Sequence, residues 1–188
     1  WLEWVGALTG LAGVWLTSRR SIWCFPVGLI SVLSYAGVFL NSQVRLYADA
    51  LLQLVFALLL IWGWWRWTKS PETNDTIHTS PQSLSGWSIT VGSILLVGAG
   101  LGLLLSRFTA ASYPWLDALL TAASLAAQAM IALRKRENWL LWIAVDAVYV
   151  PMYLQKQLYL TAGLYVLFLG LAIHGWQSWK SETEHEQA

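Results

Sequence analysis

The sequence predicts an all-α integral membrane protein with seven transmembrane helices. Three observations carry that reading. The 188 residues are 57% hydrophobic and only 11% charged, with a mean hydropathy of +0.53. Soluble domains carry about a quarter charged residues. The apolar residues fall into runs close to the ~20 residues that cross a bilayer as a helix, and the charges cluster between those runs.

The expected spans are 3–18, 22–41, 45–67, 86–106, 114–133, 138–155 and 158–179. The first is short and spaced by Gly6, Gly10 and Gly13, which suits close helix packing. The second holds the lone cysteine, Cys24, in an apolar run, where it serves as a small buried hydrophobe. The third and seventh end in IWGWWRW and IHGWQSW, which read as interfacial tryptophan belts. The fourth follows a polar stretch, 68–85, whose Pro71 and Pro81 mark a mobile linker. The fifth opens at Pro114, the sixth carries a buried-looking carboxylate, and His174 near the end of the seventh reads as structural. The tail 181–188 is short, acidic and expected to be disordered. The first apolar stretch lacks a basic leader and a clear cleavage site, so no signal peptide is expected.

Loop charge predicts orientation. One side holds Arg19, Arg20, Arg66, Lys69, Arg134, Lys135, Arg136 and Lys180, and the other only Arg45, Arg107 and Lys156. The positive-inside rule makes the first side cytoplasmic, with the N-terminus outside and the C-terminus inside. The linker 68–85 is then cytoplasmic.

The chain also repeats itself. Trp23 matches Trp139, Tyr47 matches Tyr159, Gly63 matches Gly175 and Trp67 matches Trp179. Residues 1–67 and 114–180 become two three-helix units, joined by the linker 68–85 and the returning helix 86–106. Three spans reverse the chain's side and the fourth restores it, so the two units are parallel repeats. That 3+1+3 plan is the SWEET-type transporter architecture, with the substrate site near the midplane between the repeats.

Three polar stripes lie inside the expected spans. Trp139, Trp142, Asp146, Tyr149 and Tyr153 share one face of the sixth. Asp117, Thr121, Ser124 and Gln128 form a ribbon on the fifth. Tyr47, Asp49 and Gln53 open the third. Aromatic faces beside a carboxylate suit a flat organic cation. Each stripe has a plainer reading. Asp49 and Asp117 fit helix-end caps as well as ligand contacts, Gln128 and Asp146 fit interhelical hydrogen bonding, and the tryptophan pair fits a belt. Glu3 reads as interfacial.

Several function classes are excluded. GxSxG, HExxH and P-loop motifs are absent, as is any His/Cys cluster with metal spacing, so neither enzyme nor metal nor cofactor is expected. One cysteine permits no internal disulfide, and there is no basic groove for nucleic acid. No carbonyl filter or charge ring suggests a channel.

The stretches LYADALLQ (46–53), WGWWRW at the end of the third span, PWLDALLTAASLAAQAMIALRKRENWLLW (114–142) and GWQSW (175–179) resemble the PnuC family of bacterial vitamin transporters. The likeness covers nearly the whole chain, and ENWLLW is its most specific element. The resemblance implies a homotrimer in the bacterial inner membrane that takes up nicotinamide riboside. It implies facilitated diffusion, with trapping by a cytoplasmic kinase that phosphorylates the vitamin for NAD biosynthesis. It assigns ring stacking to Trp139 and Trp142, and polar contacts to Gln53, Gln128 and Asp146. Members that carry nicotinamide riboside often have Asn where this chain has Asp146, which brings thiamine forward as an alternative cation. A non-transporting membrane receptor or assembly factor on the same fold is the alternative from a different class. A proton-coupled carrier using Asp146 or Asp117 is a further alternative.

Overall fold

The computed structural model describes residues 1–41, 47–69, 78–108 and 113–185. Among them are seven helices: α1 (Leu2–Ser18), α2 (Cys24–Leu40), α3 (Tyr47–Thr68), α4 (Leu84–Phe108), α5 (Pro114–Ala132), α6 (Asn138–Gln155) and α7 (Tyr159–His185). Asp49–Thr68, Leu84–Phe108, Pro114–Ala132 and Tyr159–Lys180 are long and apolar enough to cross a membrane, and Cys24–Leu40 is apolar but shorter. On α4, Ile89 and Leu96 are 73% and 77% exposed. Unpartnered apolar surface of that extent suits lipid rather than water.

Six helices close a ring. α1 packs on α2, α2 on α3, α3 on α5, α5 on α6, α6 on α7, and α7 returns to α1. Among the described residues α4 packs on α5 and stays outside the ring. Two glycines let it approach: Cβ atoms at Gly98 and Gly102 would run into Leu119 and Trp115. α1 and α2 meet backbone to backbone at Gly13 and Gly28, where an added Cβ on Gly13 would lie 3.5 Å from the Gly28 backbone.

Three helix ends follow one recipe. α1, α5 and α6 each finish with a non-glycine residue in the left-handed region: Arg20 (φ 55), Arg134 (φ 58) and Gln157 (φ 58). Each closes a Schellman cap. In α1 the bonds are Arg20 N–H to Thr17 C=O at 2.9 Å and Ser21 N–H to Leu16 C=O at 3.0 Å. In α5 they are Arg134 N–H to Ile131 C=O at 2.9 Å and Lys135 N–H to Met130 C=O at 2.9 Å. The α1–α2 and α5–α6 turns thus match bond for bond. The match aligns Cys24 with Asn138 and Phe25 with Trp139, each at the start of the next helix.

This corrects the sequence pairing of Trp23 with Trp139. Trp23 points outward, 66% exposed, while Phe25 is fully buried. Phe25 fills the space left by Gly63 and meets Trp67 edge-on at 4.9 Å and 88°. Trp139 fills the space left by Gly175 and meets Trp179 edge-on at 5.6 Å and 90°. Gly63 and Gly175 share identity, as do Trp67 and Trp179, whereas the ring beside each glycine is matched in place only.

Trp67 and Trp179 are therefore not belt residues. They are 4% and 0% exposed, each four positions after the glycine that admits its neighbour's ring. The belt reading does suit others at that end. Lys69 lies over Trp65 at 4.5 Å, Arg19 over Trp15 at 4.6 Å and Arg136 over Trp176 at 5.9 Å.

The expected linker 68–85 is shorter at both ends, and residues 70–77 lie outside the described residues. Its second part is not a free tether. Ser80 bridges to Lys135: Ser80 N–H donates to Arg134 C=O at 3.1 Å and Arg136 N–H to Ser80 C=O at 3.4 Å. Gln82 N–H donates to the Glu137 carboxylate at 2.8 Å, and buried Thr79 donates to Trp179 C=O at 3.4 Å. Backbone groups, which side-chain patterning does not reveal, make most of this strap. The expected tail at 181–188 also differs, since α7 continues to His185, and residues 186–188 lie outside the described residues.

Candidate functional site

The ring encloses a cavity with two lobes. The larger, about 320 Å³, is lined by all six ring helices. The smaller, about 140 Å³, is lined by α1, α5, α6 and α7. Trp142, Tyr165 and Phe168 line both and form the neck between them.

The helical period sets which α6 side chains reach it. Trp139, Trp142, Asp146 and Tyr149 share one face. Trp139 and Asp146 line the smaller lobe, Tyr149 the larger, and Trp142 both. The two tryptophans differ in setting. Trp139 is 1% exposed and wedged into α7, where a Cβ at Gly175 would lie 2.5 Å from its ring. Trp142 is half-buried, with ring surface on both lobes. Asp146 is 4% exposed, and among the described residues no hydrogen bond or ion pair meets its carboxylate.

The polar ribbon of α5 divides. Thr121, Ser124 and Gln128 line the larger lobe. Ser124 Oγ donates to Leu120 C=O at 2.8 Å, so its proton is spent on its own helix. Asp117, one turn nearer the helix start, is half-buried and lies off the cavity wall. On α3, Gln53 lines the larger lobe, whereas Asp49 is exposed and does not. Asp49 and Asp117 are close enough to interact electrostatically with each other and with Tyr153. That places both beyond the α6–α7 tyrosines at one end of the cavity. Tyr47 lies outside the residues whose side chains are described.

Sequence reasoning missed the α7 wall. Tyr165 packs against both Tyr149 and Tyr153, with ring centroids at 4.9 and 5.1 Å, and Phe168 follows at 6.0 Å. Tyr165, Phe168 and Ala172 are spaced i, i+3, i+7, the same signal that picked out α6. It was hidden because Leu and Val fill the other faces of α7. Thr17 and Val14 of α1 were missed as well, being unremarkable residues in an apolar run. Among the described residues no group of His, Cys, Asp and Glu has metal-binding geometry.

Residues 1–181 match the model of the nicotinamide mononucleotide transporter family. The nicotinamide riboside transporter PnuC of Escherichia coli is 25% identical over 95% of this chain and 84% of its own length. The PnuC of Neisseria mucosa is 28% identical over 95% of this chain and 72% of its own. The riboflavin/roseoflavin transporter RibM of Streptomyces davaonensis is 27% identical over 95% and 84%. A crystal structure of the vitamin B3 transporter PnuC superposes with a TM-score of 0.79 at 24% identity, covering 98% of this chain and 83% of that one.

Proposed function

The chain belongs to the nicotinamide mononucleotide transporter family, and on that premise we propose that it takes up nicotinamide riboside by facilitated diffusion. One observation supports this above the others: a cavity at the centre of the ring holds an aromatic face and a buried carboxylate on its wall. A buried carboxylate without a protein partner is costly. A cationic pyridinium would offset that cost. Stacking on the exposed face of Trp142 would add about 1–2 kcal/mol as a desolvated cation–π contact. Trp139, held in its wedge, would present an edge of the smaller lobe. Gln53, Gln128, Thr121 and Tyr149 would bind ribose hydroxyls or the carboxamide from the larger lobe, with Ser124 offering its oxygen lone pairs. Asp49 and Asp117 would hold negative charge at the outer mouth and attract cations.

Two parallel three-helix units, α1–α3 and α5–α7, would rock against each other across the α3–α5 and α7–α1 seams, with α4 as connector. The matched caps and matched aromatic wedges support that repeat. We place the protein in the bacterial inner membrane, as a homotrimer, with the N-terminus outside and the C-terminus in the cytoplasm. A cytoplasmic kinase would trap the vitamin by phosphorylation, so no coupling ion or cofactor is required.

Thiamine is the second reading, favoured by one specific observation. The Asp146 carboxylate suits a permanently cationic ring whether or not it bears a carboxamide. Binding of labelled nicotinamide riboside and thiamine to the purified protein is the test. Micromolar binding of the riboside supports the first reading, and preference for thiamine the second. Binding of neither would sink both and leave the receptor or assembly reading. Uptake into vesicles that responds to an imposed proton gradient would overturn facilitated diffusion.

A further inference from the structure

The matched turns fix a residue-by-residue correspondence between the two halves of the cavity wall. It aligns Thr17 with Ile131 and Phe25 with Trp139. Followed one turn at a time, it aligns Gly10 with Ser124, Val14 with Gln128, Gly28 with Trp142 and Val32 with Asp146. Every member of these four pairs lines the cavity. The second unit supplies a hydroxyl, an amide, an indole and a carboxylate. The first supplies glycine or valine at each matching place. Ser31, which faces Val145 in this correspondence, is no exception in effect: its hydroxyl donates to Gly6 C=O at 2.8 Å. Aromatic positions match in kind instead: Tyr35 with Tyr149, and Phe25 with Trp139.

The wall made by these four helices is therefore chemically uneven. A ligand finds most of its polar partners along α5 and α6, with Gln53 of α3 and Tyr35 of α2 beside them, and a largely apolar floor along the rest of α1 and α2. The floor lies under the larger lobe, and Gly10 and Gly28 are part of its lining. We propose that this floor, to which Val32 contributes the position matching Asp146, determines which substrates fit by the size and polarity of the part facing away from α6. The accepted class is a heteroaromatic molecule whose charged and hydrogen-bonding groups face α3, α5 and α6 and whose remaining edge is apolar. Val32 is a specificity-determining residue, while Asp146, its counterpart, is the charge-binding one. This rests on the reading of the cavity as the substrate site.

Two substitutions test it. Val32→Asn places an amide where the floor is apolar, and Val32→Phe fills the floor without adding polarity. Leu33→Phe, on the outward face at 52% exposure, is the control. Dissociation constants are measured on purified wild type and variants for nicotinamide riboside, thiamine and the larger riboflavin, alongside thermal unfolding. With Val32→Asn, the ligand that wild type binds best should weaken about tenfold, because a buried amide is left unpaired against an apolar edge. With Val32→Phe, ligands should be lost in order of size, riboflavin first. Leu33→Phe should leave all three constants within about twofold, the span of a surface substitution. Folded Val32 variants that keep every wild-type constant would overturn the proposal, as would uniform weakening regardless of ligand size. Failure of wild type to bind any of the three would instead strike at the transport reading itself.

Discussion

Trp179 donates its indole N–H to the Thr17 carbonyl at 3.1 Å, across the seam between α7 and α1. Trp67 does the same to Ile131 at 3.2 Å, across the seam between α3 and α5. Thr17 and Ile131 are counterparts, and each carbonyl also accepts its own cap N–H. One bond, used twice, fastens the ring at the end where the basic loops lie.

Trp179→Phe removes that bond together with part of a fully buried ring. It should lower unfolding free energy by more than about 1 kcal/mol, the usual net value of one buried hydrogen bond, because the smaller ring also leaves a cavity. Trp67→Phe should do the same. The two effects should not simply add, because the rings stand 6.5 Å apart and neighbours couple by roughly 0.5 kcal/mol or more. A double-mutant cycle read by chemical unfolding in detergent checks this. Strict additivity would mean that the seams open independently.

The two tryptophans of the α6 face should part company under mutation. Trp139 is wedged between Gly175 and Trp179, so Trp139→Ala should cost about 3–5 kcal/mol of stability. Trp142 is half-buried with both lobes beside it, so Trp142→Ala should cost less stability and more affinity. A loss of about 1–2 kcal/mol in ligand binding, or roughly tenfold, is expected. Thermal unfolding and ligand titration on the same samples separate the two effects. Equal damage from both variants would contradict the distinction.

Asp146→Asn keeps the shape and removes the charge. A cationic ligand should then bind about tenfold more weakly, and a neutral flavin should be little affected or improved. Titration with nicotinamide riboside, thiamine and riboflavin reads the difference. Unchanged cation affinity would show that the carboxylate does not face the charge. The substitution should also stabilise the empty protein, since it removes a buried charge without a partner.

Much of the helix layout was legible because apolar run length and helix period are encoded residue by residue. The α6 face could be read from Trp139, Trp142 and Asp146, whose types stand out against leucine and alanine. Positions could be read less well where the structure depends on what a residue lacks. Gly175 matters because a ring enters its space, and nothing in IHGWQSW says which ring. The pairing of Trp139 with Trp23 followed residue type, whereas the ring that occupies the space at Gly63, as Trp139 does at Gly175, is that of Phe25. Asp49 and Asp117 look like ligand residues in sequence, yet one helical turn carries each past the cavity. The strap at 78–83 is held by two backbone–backbone bonds at Ser80 and by the Thr79, Lys135 and Glu137 side chains, and the backbone bonds have no sequence signature.

That strap yields the last prediction. Glu137 accepts the Gln82 N–H at 2.8 Å and pairs with Arg136 at 3.1 Å, and it is 7% exposed. It immediately precedes Asn138 and Trp139, the first residues of α6. The carboxylate thus ties the segment before α4 to the root of the helix that carries the candidate site. Glu137→Ala should remove a charge-assisted bond, costing about 1.5–3 kcal/mol locally. Amide hydrogen exchange should accelerate at Ser80 and Gln82. The matching turn at Arg20 and Ser21 is closed by its own Schellman cap, so its exchange should stay unchanged. Ligand affinity should fall severalfold if the strap positions α6, because a misplacement at Trp139 is carried along the helix to Trp142. Faster exchange at both turns would mean instead that Glu137 stabilises the whole basic end of the ring.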